Sequence, residues 1–274
     1  MRKFKLSKII LLALLLGGSG SIALGTQNVS ATSKKVILYV VRHGETTANV
    51  MHLAQGWSDF PLTPNGIQGA KYLGAGLKKA KFQSAYAGDL TRQEKTARGT
   101  LDASNNGKVK VHVDQRLREG NFGSYEARPD SAKNIPDIVK YFGYKDSNDF
   151  TKQEGKHFPS KYQDGYYELD KKNTLHTDLA KSDRAESSNQ VKQRMQNVMN
   201  YIVKHQKNNS NVLVVSSGMA IDQFLEKENI PQYKGDSLGN DSVTKLVYKN
   251  GKYHVQGKIG SLKYFNQGKK DLNK

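Results

Sequence analysis

The sequence predicts an α/β protein, a single three-layer domain around a mostly parallel central sheet, and three observations predict it. Two apolar runs, Lys35 to Val41 and Asn211 to Ser216, have the β-branched composition of strands buried on both faces. Each run stops abruptly at a polar turn, Arg42-His43-Gly44 and Ser217-Gly218. Around them, short strands alternate with segments of helical period, the order that builds a parallel sheet covered by helices. At 274 residues the chain has room for one large domain or two small ones, and no internal repeat divides it.

The first 31 residues read as a separate object. Arg2, Lys3, Lys5 and Lys8 form a cationic start, Ile9 to Leu16 is uninterruptedly apolar, and small residues lead to Val29-Ser30-Ala31. That is the pattern of an export signal cleaved after Ala31, leaving a domain over residues 32–274. The apolar run is short for a membrane span of about 20 residues, and no later stretch is long enough to cross a bilayer. No cysteine follows the run to carry a lipid and no LPxTG sequence stands near the C-terminus, so the expected location is secreted or cell-envelope associated. Losing the four basic residues of the leader takes the net charge from +18 to +14.

The elements of the domain follow in order. Lys35 to Val41 is the first strand. Thr63 is an N-cap with Pro64 at N1, and Ile67, Ala70, Leu73 and Leu77 set the helical spacing behind it. Ser84 to Ala87 reads as a short strand, Leu90 to Leu101 as a helix and Val109 to Val113 as an alternating strand. From about Tyr125 to Lys181 periodicity fades into aromatic, charged and proline-containing sequence, read as an inserted, mobile lid of roughly 55 residues. Ser187 to His205 regains a helical period through Val191, Met195, Val198 and Ile202. The buried strand Asn211 to Ser216 and a helix at Ala220 to Lys227 come next. A hairpin then joins Val243 to Tyr248 and Tyr253 to Lys258 through Asn250-Gly251.

Composition excludes several chemistries. With no cysteine there is no disulfide framework, thiolate metal site or cysteine nucleophile. A pI near 9.7 points to an anionic partner without choosing between nucleic acid, a surface and a small substrate. The polar turn at the end of the first strand narrows that choice, because α/β sheets place ligands at the carboxyl ends of their strands. There His43 stands beside Arg42, with Gly44 read as removing bulk where a ligand approaches. Neutral imidazole is a competent nucleophile toward phosphorus, and guanidinium matches phosphate oxygens. A histidine that merely caps a strand end would look the same in isolation.

Four blocks in order over some 80 residues end that isolation. Val41 to Asn49 (VRHGETTAN) resembles the signature of the histidine phosphatase superfamily, in its phosphoglycerate mutase-like branch. Gln55 to Leu62 with Thr63 and Gly66 resembles the next block, Asp89 to Ala97 (DLTRQEKTA) the Arg-x-x-x-Thr-Ala helix start, and Leu117 to Gly123 (LREGNFG) the Leu-Arg-Glu block. The second half is similar mainly through Val212 to Gly218 and weakly at Ala185-Glu186-Ser187. The resemblance implies a phosphoglycerate mutase-like fold and a two-step phosphoryl transfer. His43 would be the nucleophile, Glu119 the general acid and then base, and Arg42, Asn49 and Arg92 the phosphate holders. It implies no metal and no cofactor.

One position departs from the family. Where the second buried strand should end in Ser-His-Gly, this chain reads Ser216-Ser217-Gly218, so Ser217 would offer the phosphate a neutral hydroxyl. Charge-assisted hydrogen bonds contribute about 1.5–3 kcal/mol against about 0.5–1.5 for neutral ones, a difference of roughly tenfold in rate. His52, His157 and His176 are surface or lid residues on this reading rather than substitutes.

The implied function is an exported phosphatase acting on a small phosphomonoester. A weak or inactive member binding anionic envelope polymers or a phosphorylated ligand, and a mutase-type phosphotransferase, are the alternatives. Nothing reads as a nucleic-acid recognition element, so no nucleic-acid partner is expected. Gly74-Ala75-Gly76 lacks the strand-turn context of a dinucleotide loop, Lys269, Lys270 and Lys274 read as a solvated tail, and Tyr141, Phe142, Tyr144, Tyr162, Tyr166 and Tyr167 as apolar cover for the lid.

Overall fold

Along β1 (Lys35–Arg42), Val36, Leu38 and Val40 are buried on one face and Tyr39 and Val41 on the other. Period-two alternation thus feeds two cores at once. The structure, a computed structural model, describes residues 34–274; the expected leader, residues 1–31, lies outside the described residues. β1 pairs in parallel with β4 (Ser210–Ser216), β4 with β2 (Ser84–Ala87), and β2 with β3 (Val111–Val113). On the other side of β1, β5 (Val243–Lys249) and β6 (Lys252–Val255) run antiparallel, giving the order β3-β2-β4-β1-β5-β6. The sheet is therefore mostly parallel, as expected. Asn250 and Gly251 turn the hairpin with φ of 54° and 77°, the left-handed pair that an Asn-Gly turn supplies.

One face of the sheet packs against α2 (Pro64–Gly76), α3 (Thr91–Ala103) and α9 (Lys263–Leu272), the other against α7 (Ser188–Lys204) and α8 (Gly218–Lys227). Caps explain where these helices start. The Thr63 side chain accepts from Gly66 N at the head of α2, and Ser187 with Gln190 closes a capping box on α7.

Three expectations change. Ile67, placed on the buried stripe of α2, is 50% exposed. The buried stripe is instead Gly66, Gly69, Ala70, Leu73, Gly74 and Ala75, because neighbouring backbone comes too close for larger side chains. A Cβ on Gly76 would sit 1.8 Å from the Tyr264 carbonyl oxygen, and one on Gly268 1.8 Å from that of Tyr72. Lys269, Lys270 and Lys274 are exposed, as a solvated tail would be, but the first two lie on the ordered helix α9, which these glycines lock to α2.

The third change concerns the insert. Residues 125–181 contain α4 (Ile135–Phe142), α5 (Ser147–Glu154) and α6 (Phe158–Lys171) around a core of their own, with Tyr125, Ile138, Phe150 and Tyr166 fully buried. Tyr162 is buried there too, and Tyr141, Phe142 and Tyr144 pack against it, so these aromatics do serve as apolar cover. Eight-residue helices are too short to show a period, and Gly143 and Gly155, with φ of 79° and 51°, end α4 and α5.

Candidate functional site

β1 and β4 are adjacent and parallel, with Arg42 opposite Ser216, so their carboxyl ends open on the same edge of the sheet. A cavity of about 310 Å³ lies there, and Arg42, His43, Asn49, Glu119 and Asp222 all line it. Four of the six residues that the resemblance singled out therefore come together.

His43 is 2% exposed, and its Nδ1 lies 2.8 Å from the carbonyl oxygen of Gly44. A carbonyl only accepts, so Nδ1 carries the hydrogen and Nε2 keeps its lone pair. Burial, reinforced by Arg92 and Arg42, pushes the imidazole pKa well below its ordinary value. The ring is thus neutral and its free nitrogen nucleophilic. Its backbone is held by Ser216 O, 3.0 Å from His43 N, and by Asn240, whose amide donates to His43 O at 2.9 Å.

Gly44 is required for a different reason from the one expected. A Cβ there would sit 2.8 Å from the Gly66 carbonyl oxygen, so the glycine admits the head of α2 against the strand end rather than a ligand. Asn49 closes a capping box on α1 (Thr47–Met51). Its Oδ1 accepts from Thr46 N at 3.1 Å and from Asn240 Nδ2 at 3.2 Å, which assigns the free Nδ2 donor to the cavity side.

Glu119 is buried and sits at the N-terminus of α8. Its Oε1 accepts from Ala220 N at 2.7 Å and Gly120 N at 3.1 Å, and its Oε2 from Met219 N at 3.0 Å. Burial raises its pKa, and these N–H donors together with Arg92 hold the rise in check. The result is a carboxyl that titrates above the ordinary range while touching the same cavity as His43.

Arg92 and Ser217 are placed otherwise. Arg92 is fully buried and outside the cavity lining, its guanidinium donating to the carbonyls of Ser58 at 2.9 Å, Gly56 at 2.7 Å and Gln55 at 3.2 Å. Only its Nε lacks a partner. It acts on His43 and Glu119 through its charge. Ser217 is 1% exposed and does not line the cavity; its hydroxyl accepts from Gln93 Nε2 at 2.9 Å. His52, His157 and His176 are all exposed and outside the cavity lining, and His157 is paired with Glu226 at 2.7 Å.

Several residues were missed. Arg194 on α7 donates to the carbonyls of Arg116, Arg118 and Glu119 at 2.7–2.9 Å and pairs with Glu186 through two bonds of 2.8 Å, fixing the turn that carries Glu119. Its signal was an arginine inside the apolar stripe Val191, Met195, Val198. Glu126 gathers the amides of Gly56, Trp57, Ser58 and Phe122, which aims the carbonyls of residues 55–58 at Arg92. Asp222, one turn after Gly218 on α8, is 4% exposed, and burial together with Glu119 pushes its pKa well up despite Arg42. Its position in a buried strand–turn–helix unit was the available clue.

Known proteins share this arrangement of strands and site blocks. The family model of the histidine phosphatase superfamily (branch 1) matches residues 38–160 and 148–258. Fructose-2,6-bisphosphatase TIGAR of Bos taurus is 43% identical over 94 residues, 34% of this chain and 35% of that protein. The adenosylcobalamin/alpha-ribazole phosphatase of Salmonella typhimurium is 41% identical over 91 residues, 33% of this chain and 44% of that protein. The matched region thus spans less than half the length of these curated relatives. Among solved structures, the phosphoglycerate mutase from Bacillus anthracis str. Sterne superposes with a TM-score of 0.75 at 30% identity, over 88% of this chain and 99% of that one. The phosphoserine phosphatase of Entamoeba histolytica, at 22% identity, 84% of this chain, 98–99% of that one and a TM-score near 0.58, shares the fold. Matched along most of its described length, and carrying His43 and Glu119 in one cavity at the strand ends, the chain belongs to branch 1 of the histidine phosphatase superfamily.

Proposed function

We propose that the protein is an exported phosphatase that hydrolyses a small phosphomonoester through a phosphohistidine on His43. The observation that carries the reading is the state of His43, held as the Nδ1–H tautomer and kept neutral, in a cavity shared with a carboxyl whose pKa is raised. In the first step the Nε2 lone pair attacks phosphorus. As the N–P bond forms, the P–O ester bond breaks and the leaving oxygen takes the proton of Glu119. In the second, water attacks phosphorus, gives its proton to the Glu119 carboxylate, and the N–P bond breaks to release phosphate and neutral His43. Arg42 and the Asn49 amide supply donors to the phosphoryl oxygens, and Arg92, outside the lining, adds positive charge. Export rests on the cationic, apolar and small-residue order of residues 1–31.

The test is hydrolysis of an aryl phosphate across about pH 4 to 8 by the purified protein and by His43→Ala. The variant is expected to lose activity by a factor on the order of 10³ or more, with acid-labile phosphate trapped on the parent alone. Equal turnover by both would sink the role of His43. The position of Ser217, outside the cavity wall, favours one further reading, a weakened member that binds a phosphorylated ligand. Saturable phosphate binding without turnover would identify it.

A further inference from the structure

The cavity is unlike the protein that surrounds it. The chain carries 43 lysines and arginines against 25 acidic residues, yet among the residues lining the cavity Arg42 is the one permanent cation and no lysine takes part. Glu119, Asp130 and Asp222 supply three carboxyls. Arg42 and Glu119 belong to the reacting phosphoryl group, which leaves Asp130 and Asp222 for the rest of the substrate.

Asp222 is more than nine-tenths buried and lines the cavity, yet its Oδ1 has no hydrogen-bond partner. Burial and Glu119 favour the neutral form of Asp222, and an ammonium group placed beside it would favour the ionised form and supply the missing partner. Asp130 enters from the insert, where its Oδ1 accepts the hydroxyls of both Tyr162 and Tyr166 and is thereby held in place. Phe122, Phe158 and Tyr162 complete that wall with aromatic rings, and Phe158 and Tyr162 stack with centroids 5.6 Å apart. Carboxyls beside aromatic faces suit an alkylammonium group, through charge and through the ring quadrupole. A volume of about 310 Å³ accommodates a small phosphomonoester together with its alcohol portion.

We propose that this site selects small phosphomonoesters whose alcohol portion carries an ammonium group, held by Asp222 and Asp130, and disfavours substrates bearing a second anion. The proposal rests on the phosphatase reading above and names its substrate class. A phosphorylated sugar acid or a bisphosphate would bring its extra negative charge to two carboxyls with no cation to receive it, which also argues against a mutase reaction.

Three compounds of similar size separate the charge at the far end: 2-aminoethyl phosphate, 2-hydroxyethyl phosphate and phosphoglycolate. For the full chain, kcat/KM is expected to fall in that order, with about tenfold between the first two. Asp222→Asn is expected to bring the ammonium-to-hydroxyl ratio close to one and to lessen the handicap of phosphoglycolate. Asp130→Asn, on a separate element, should lower the same ratio and serves if Asp222→Asn does not fold. A parent ratio at or below one, or a ratio that neither variant moves, overturns the proposal. Calorimetric Kd values for the three compounds on His43→Ala give the order without turnover. If aryl phosphate hydrolysis is absent, the phosphatase reading fails, and those Kd values still decide the selectivity.

Discussion

His43 must satisfy two demands that ordinary histidines meet only by chance, an unprotonated state and a fixed tautomer. Burial and two arginines meet the first, and the Gly44 carbonyl meets the second. The pKa values of the two groups proposed to react are therefore shifted in opposite directions. Imidazole is neutral above its lowered pKa, and Glu119 is protonated below its raised one, so both shifts favour the working forms. For an alkyl phosphate, kcat/KM should rise through the acid limb set by His43 and fall as Glu119 loses its proton. Glu119→Gln should remove the falling limb and cost about 10²–10⁴ in kcat/KM, far less for an aryl ester whose leaving group needs no proton. A second prediction concerns Ser217. Gln93 is fully buried and occupies the space beside that hydroxyl, with its Oε1 unpartnered. Ser217→His alone should give no gain and overpack the site by about 1–3 kcal/mol. Combined with Gln93→Ala it should raise kcat roughly tenfold, a non-additivity read from the four-member cycle.

At the scale of elements, the turn that carries Glu119 is held by a helix that contributes nothing to the cavity lining. Arg194 projects from α7 with 14% of its side chain exposed and satisfies three carbonyls and one carboxylate. Arg194→Ala should cost about 2–4 kcal/mol in a thermal or denaturant melt. It should also lower kcat with little change in KM, because Glu119 loses its aim while Arg42 and Asn49 keep theirs. Arg194→Lys should recover only part of both, since an ammonium lacks the fork that spans several acceptors. The element boundaries show how much was legible. Helices with a cap and an apolar stripe, such as Thr63 with α2 and Ser187 with α7, were legible within a residue or two. α9 was not, because its packing on α2 uses backbone and glycine instead of an apolar stripe. The helices of the insert were missed because their core is assembled from one or two aromatics on each of several short pieces.

For the whole molecule, the basic surface, +18 for the full chain and +14 without the leader, and the carboxyls of the inner cavity act at different ranges. The surface field acts on an approaching phosphomonoester out to a Debye length, about 8–10 Å at moderate salt, whereas Asp130 and Asp222 act only on contact. Raising ionic strength from about 0.05 to 0.5 M should therefore reduce kcat/KM several-fold and leave kcat nearly unchanged. An unchanged kcat/KM would show that the basic surface plays no part in capture.

By itself the sequence determined the α/β class, the order of the sheet-forming strands and caps, and the blocks that single out His43, Arg42 and Glu119 as candidates, because each is written in local pattern or contiguous blocks. Only the tertiary structure decided what those groups face. Glu119 meets the amides of Met219 and Ala220, Gln93 meets Ser217, and Asp130 joins the cavity lining with His43, each across dozens of residues of chain. Burial, protonation state and the charge of a cavity are properties of groups brought together by packing, and no local pattern carries them.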